Sequence, residues 1–166
     1  MKFKHNLFYS IVQPSLVPND LYDNVYKLWK EKQPYKTYTT NYNIELLDNE
    51  NKLSKLYDFF IDNVKNIYRK DVIEKRKYYA CIFDKNFSNT IWHSHETTCD
   101  INGVYYLTKG CEIHLKDVDN NIIQYKPKQY ELILFPNWVL HLPIYSNETR
   151  MSINVECHFA SEKKNL

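Results

Sequence analysis

The chain has 166 residues, 43% hydrophobic and 16% aromatic, which fits one domain with a core and argues against a disordered chain. Twenty-two basic against twenty acidic side chains leave a formal charge of +2, too even a balance to point to nucleic acid or a membrane surface as partner. The start, MKFKHNLFYSIV, has no long apolar run of a secretory leader, and no stretch approaches a membrane span, so the expected location is the cytoplasm. Cys81, Cys99, Cys111 and Cys157 form no CxxC pair and read as reduced thiols. A zinc site from Cys99, Cys157 and nearby histidines would match no knuckle spacing. With only two glycines, Gly103 and Gly110, the chain has no glycine-rich phosphate loop.

The first half reads as helical and the second as short strands. In VPNDLYDNVYKLWKEKQP, Leu21, Val25, Leu28 and Trp29 recur at helical spacing, with Asn19 as the expected cap and Pro34 as the stop. A longer stripe, Leu53, Leu56, Tyr57, Phe60, Val64, Ile67 and Tyr68, predicts a second helix; both stripes read as core-facing. From residue 77 the pattern becomes strands: KYYACIFD, NTIWHSH, GVYYLT, CEIHLKDV, NIIQYKP, YELILFP and RMSINVECHF. Gly110 and the DVDNN stretch around Asn120 supply turns. The expected fold class is α+β, a jelly roll covered by N-terminal helices.

Within these strands, IWHSHETT places His93 and His95 one residue apart, on one face of a strand with Cα atoms roughly 7 Å apart. That suits one metal ion, and it equally suits an ordinary polar strand edge. LILFPNWVLHLPIY adds His141 after an apolar strand, where the mouth of a sandwich offers a pocket. Arg150 and Ser152 in TRMSINVE share a strand face, and both can bind a carboxylate. Arg150 could also be a surface partner of Glu148 or Glu156, but an arginine inside an apolar strand needs a buried anion. His5, His114 and His158 read as structural, and the SEKKNL end as a solvated tail.

The order His-x-His, GVYYL, FPxWxxH and Arg-x-Ser resembles the 2-oxoglutarate- and iron(II)-dependent oxygenases, most nearly a small bacterial and phage branch related to prolyl hydroxylases. The resemblance covers residues 78 to 158. It implies a double-stranded β-helix (jelly roll, cupin-like), with residues 1–166 one oxygenase domain, 1–76 mainly helical support and 77–159 the catalytic core. It makes His93, His95 and His141 the iron ligands and catalytic residues. Arg150, Ser152 and Tyr106 become the binders of the distal carboxylate of 2-oxoglutarate, with Phe135 and Trp138 as pocket walls. The sequence departs from the usual two-histidine, one-carboxylate triad in having His95 at the third position. Glu96 or Asp100 is the alternative third ligand if the strand bulges.

The implied cofactors are Fe(II), 2-oxoglutarate as cosubstrate and O2, and the implied reaction hydroxylates a C–H bond, of a peptidyl proline or a small amino acid. The expected partners are 2-oxoglutarate and a peptide or small molecule, with no membrane or nucleic acid, in the cytoplasm (the host's, if the branch is viral). The tyrosine-rich YKTYTTNYNIELL segment could shape the entrance. Two other classes remain open: a cupin-like metal-binding or structural module without oxygenase activity, and a three-histidine thiol dioxygenase.

Overall fold

Strand alternation divides the molecule between two cores. A computed structural model describes residues 2–5, 7–31, 43–46, 52–83, 91–144 and 148–161. In chain order its elements are β1 (Lys2–Lys4), β2 (Tyr9–Val12), α1 (Leu21–Glu31), β3 (Asn43–Leu46), α2 (Ser54–Tyr68) and β4 (Val72–Phe83). Then follow β5 (Ile101–Tyr106), β6 (Glu112–Lys116), β7 (Ile122–Tyr125), β8 (Glu131–Pro136), β9 (Leu140–Ile144) and β10 (Arg150–Phe159). Seven strands form one antiparallel sheet in the order β1-β2-β8-β5-β10-β4-β3, and three form another in the order β7-β6-β9. This is an α+β chain with the two facing sheets of a double-stranded β-helix.

Ile101 and Tyr105 of β5, Leu132 and Leu134 of β8, and Met151, Ile153, Val155 and Cys157 of β10 pack in the core that the helices cover. The alternate residues, Val104, Tyr106, Ile133 and Phe135, turn toward Ile113 and Leu115 of the small sheet. Helix α2 contributes Leu56, Tyr57, Phe60, Ile61 and Val64 to the outer core, Ile61 being an addition to the expected stripe. It ends at Arg69, which adopts φ 55° and donates its N–H to Lys65 O. Gly103 lets α2 approach the sheet: a Cβ there would come within 2.8 Å of the Phe60 ring and 2.9 Å of Val155.

Helix α1 buries Val25 and Trp29 but leaves Leu28 42% exposed, so the expected apolar face is narrower than its spacing implied. Its first turn closes on Asp20 O, which accepts from Asn24 N–H at 3.0 Å, one residue later than the expected Asn19 cap. Pro34, most of the tyrosine-rich segment and the SEKKNL tail lie outside the described residues. The helical reading of the first half left out β1, β2 and β3, three short strands that extend the large sheet at both edges. Both expected turns are present, at Gly110 (φ 73°) and Asn120 (φ 64°). In the second, Asp117 Oδ1 accepts from the N–H groups of Asp119 and Asn121 at 2.9 and 2.8 Å. Among the described residues, no helix is long and apolar enough to cross a membrane.

Candidate metal centre

The segment carrying His93 and His95 is not a regular strand, contrary to the expectation for NTIWHSH. His93 makes a single antiparallel bridge with His141 of β9: His93 N–H donates to His141 O at 3.2 Å, and His141 N–H to His93 O at 2.9 Å. His95 N–H donates to Asn137 O at 2.9 Å, and a turn over Glu96–Thr98 then folds back on His95 O. The β8–β9 turn holds that loop from the other side, because Asn137 donates its N–H to Asp100 O and its side-chain amide to Cys99 O.

This scaffold brings the three imidazoles together. Ring centroids lie 4.1 Å apart for His93 and His141, 5.1 Å for His95 and His141, and 5.6 Å for His93 and His95. One potential ligand atom from each falls within 4.8 Å of the others. Each Nδ1 is engaged elsewhere: His93 with Ile91 O at 2.9 Å, His141 with Val139 O at 3.4 Å, and His95 with Glu156 Oε1 at 3.1 Å. A ring that donates from Nδ1 keeps its Nε2 lone pair for a metal. The Nε2 of His95 is buried with no hydrogen-bond partner. Burial holds the His141 imidazole well below the usual histidine range, reinforced by His93 and His95; burial likewise lowers His93. Three imidazoles so crowded, each with its Nδ1 engaged elsewhere, fit a divalent metal.

Arg150, Ser152, Asn154 and Glu156 occupy the face of β10 opposite its outer-core residues, a polar stripe between the sheets. Arg150 is 3% exposed. Its guanidinium lies over the rings of Phe83 and Tyr106 and donates to Tyr106 Oη at 3.3 Å and Glu112 O at 3.2 Å, while Nε has no partner. Among the described residues no carboxylate pairs with Arg150. Ser152 is buried, and its Cα sits opposite that of Tyr106 in the β10–β5 ladder. Burial raises the Tyr106 phenol far above the range where it would ionise, against the pull of Arg150, so its proton remains available. Arg150, Ser152 and Tyr106 thus gather on one inward patch.

Phe135 is fully buried with its ring 5.0 Å from that of His141, as a wall should be. Trp138 is 40% exposed on the β8–β9 turn and stands outside both buried cores. Glu96 is exposed in the turn, and Asp100 Oδ2 accepts from Phe159 N–H and lies 3.5 Å from His158. Neither groups with the three histidines. His114 pairs with Glu112 and His5 stacks on Phe8, in keeping with structural roles. All four cysteines are buried, and none is in a disulfide. Of the two cysteines weighed above for a zinc site, Cys99 falls in a second group with His95 and Glu156, and Cys157 in no such group among the described residues.

The residue that sequence reading missed is Glu156, considered only as a surface partner of Arg150. The signal was present: in RMSINVE a polar side chain at every second position of an apolar strand marks an interior polar face.

No family model and no curated protein matches the sequence. Solved structures do match, at low identity. A prolyl 4-hydroxylase from Phytophthora capsici is 14% identical at a TM-score of 0.64, covering 95% of this chain and 60% of its own. A Trichoplax adhaerens prolyl hydroxylase, in complex with a hypoxia-inducible-factor peptide fragment, is 14% identical at 0.65, over 95% of this chain and 85% of its own. EctD from S. alaskensis, with 2-oxoglutarate and 5-hydroxyectoine, is 12% identical at 0.62, over 88% of this chain and 70% of its own. This chain thus spans under two thirds of the Phytophthora capsici protein. The fold is that of the 2-oxoglutarate- and iron(II)-dependent oxygenases. Prolyl 4-hydroxylases stand among the proteins that share it.

Proposed function

We propose that the chain is a 2-oxoglutarate- and iron(II)-dependent dioxygenase that hydroxylates a C–H bond of a peptidyl proline or a small amino acid. The observation that carries this reading is a buried arginine that pairs with no carboxylate among the described residues, on the β10 face that looks across the sandwich toward the small sheet, whose β9 carries His141 of the three-imidazole cluster. A buried cation of this kind calls for an anion, and a planar guanidinium can hold a carboxylate by a fork.

His93, His95 and His141 would hold iron(II), the Nε2 atoms being the ones left by the Nδ1 contacts. When bound, the iron couples oxidative decarboxylation of 2-oxoglutarate, to succinate and carbon dioxide, to oxygen insertion into the substrate. The protein's own part is positional. Arg150 presents a planar guanidinium to the distal carboxylate, the Tyr106 hydroxyl donates from beside it, and Ser152 adds a third donor. Phe83 and Tyr106 sandwich the guanidinium and limit its rotamers. Phe135 keeps water from the His141 side. Three neutral imidazoles leave the full dipositive charge on the metal, which the cosubstrate dianion offsets.

An assay for succinate, run with pools of proline-containing peptides, of free amino acids and of nucleic acids, tests the reaction. The expected result is slow succinate release without substrate, faster release with one pool, and a product heavier by one oxygen atom that disappears in His141→Ala. Oxidation confined to a nucleic-acid pool would overturn the substrate class.

A further inference from the structure

We propose that Glu156 is a positioning residue of the metal centre, orienting His95 and supplying through it the negative charge that the three imidazoles lack. This rests on the metal-site reading above. The three Nδ1 atoms are not treated alike: those of His93 and His141 meet neutral main-chain carbonyls, whereas that of His95 meets a carboxylate. Glu156 is 6% exposed, and its Oε1 accepts from His95 Nδ1 at 3.1 Å and from Thr98 Oγ1 at 3.3 Å. Thr98 belongs to the turn that folds back on His95, so ring, turn and carboxylate form one unit. An N–H···carboxylate bond fixes the ring and makes the other nitrogen a stronger donor to a metal.

The strand is locally adjusted at this position. The pairing of β10 with β4 shifts register between Val155 and Glu156, while on the β5 side the ladder runs through Glu156 opposite Asn102 without a break. Such irregularities re-aim side chains beside functional sites. Iron sites of this kind commonly bind the ion with one carboxylate directly. Here the carboxylate stands one bond further out, behind an imidazole.

Cobalt(II) titration of the full chain, followed by its visible ligand-field spectrum, tests the assignment without turnover. Glu156→Gln keeps the shape and loses the charge; the expected result is roughly 10- to 100-fold weaker binding at one ion per chain, with an altered spectrum. In a His95→Asp background, where the ligand carries its own charge and has no ring to orient, Glu156→Gln should change affinity by less than about twofold. Should Glu156→Gln not fold, Glu156→Asp retains the charge but withdraws it by one methylene, and the same loss is expected. Wild-type affinity and spectrum in both Glu156 variants would overturn the assignment. So would an equal loss in the His95→Asp background, which would make Glu156 a ligand itself or a purely structural group. No cobalt binding by the wild-type chain would instead overturn the metal centre.

Discussion

A guanidinium buried against two aromatic rings is costly to leave without a counter-charge, and at Arg150 the described neighbours include a phenol and a main-chain carbonyl but no carboxylate. A bound carboxylate would meet it with a charge-assisted pair contributing about 2 to 4 kcal/mol in a desolvated pocket, or roughly 30- to 1000-fold in affinity. Arg150→Ala is therefore expected to weaken 2-oxoglutarate binding by that factor in anaerobic calorimetry while leaving metal affinity nearly unchanged. Arg150→Lys should rescue little, because an ammonium cannot reproduce the fork. Unaltered cosubstrate affinity in Arg150→Ala would place the carboxylate elsewhere. At the histidines, single alanine substitutions of His93, His95 and His141 should each abolish tight iron(II) binding with the fold retained. Glu96→Ala and Asp100→Ala should not, since Glu96 lies exposed in the turn and Asp100 is engaged with the end of β10. Loss of iron in either of those two, with binding retained in His95→Ala, would restore a carboxylate triad.

The elements matter through how closely they meet. Gly103→Ala would thrust a methyl into the Phe60 ring and Val155, and a cost of about 1 to 3 kcal/mol in urea unfolding is expected. A neutral substitution would mean that α2 is free to move off the sheet. Helices and long strands were legible because burial shapes their sequence: the α2 stripe recurs at helical spacing, and the LILF run of β8 is apolar throughout because both of its faces are buried. The short strands β1, β2 and β3 were not, because three or four residues give no period and β2 and β3 join the sheet through β8 and β4, far away in sequence. The same limit explains His93 and His95. Their spacing was visible, but the single bridge to His141 and the clamp from Asn137 that gather the rings are non-local.

At the scale of the whole molecule, two cores sharing one sheet leave the thiols inside. Burial pushes the Cys81 and Cys157 thiols up to about 12 and raises Cys111 as well. In the native protein none of the four buried cysteines should react with a disulfide reagent at neutral pH, and all four should react in denaturant. The unfolded thiols ionise near about 8.5 while Cys81 and Cys157 keep their protons in the native state. Folding stability from these groups is thus full below about pH 8.5 and is lost as pH rises toward their folded values. Urea unfolding at rising pH should show that decline, and a flatter one in Cys81→Ala; identical slopes would contradict it. The central claim is that one end of this sandwich holds iron(II) and 2-oxoglutarate together. Its most direct measurement is anaerobic titration of the metal-free chain with iron(II) and then 2-oxoglutarate, watched in the visible spectrum. The account predicts a weak charge-transfer band that appears only with both present and is lost in His141→Ala and Arg150→Ala; a wild-type spectrum that stays blank at saturating iron and 2-oxoglutarate would contradict it.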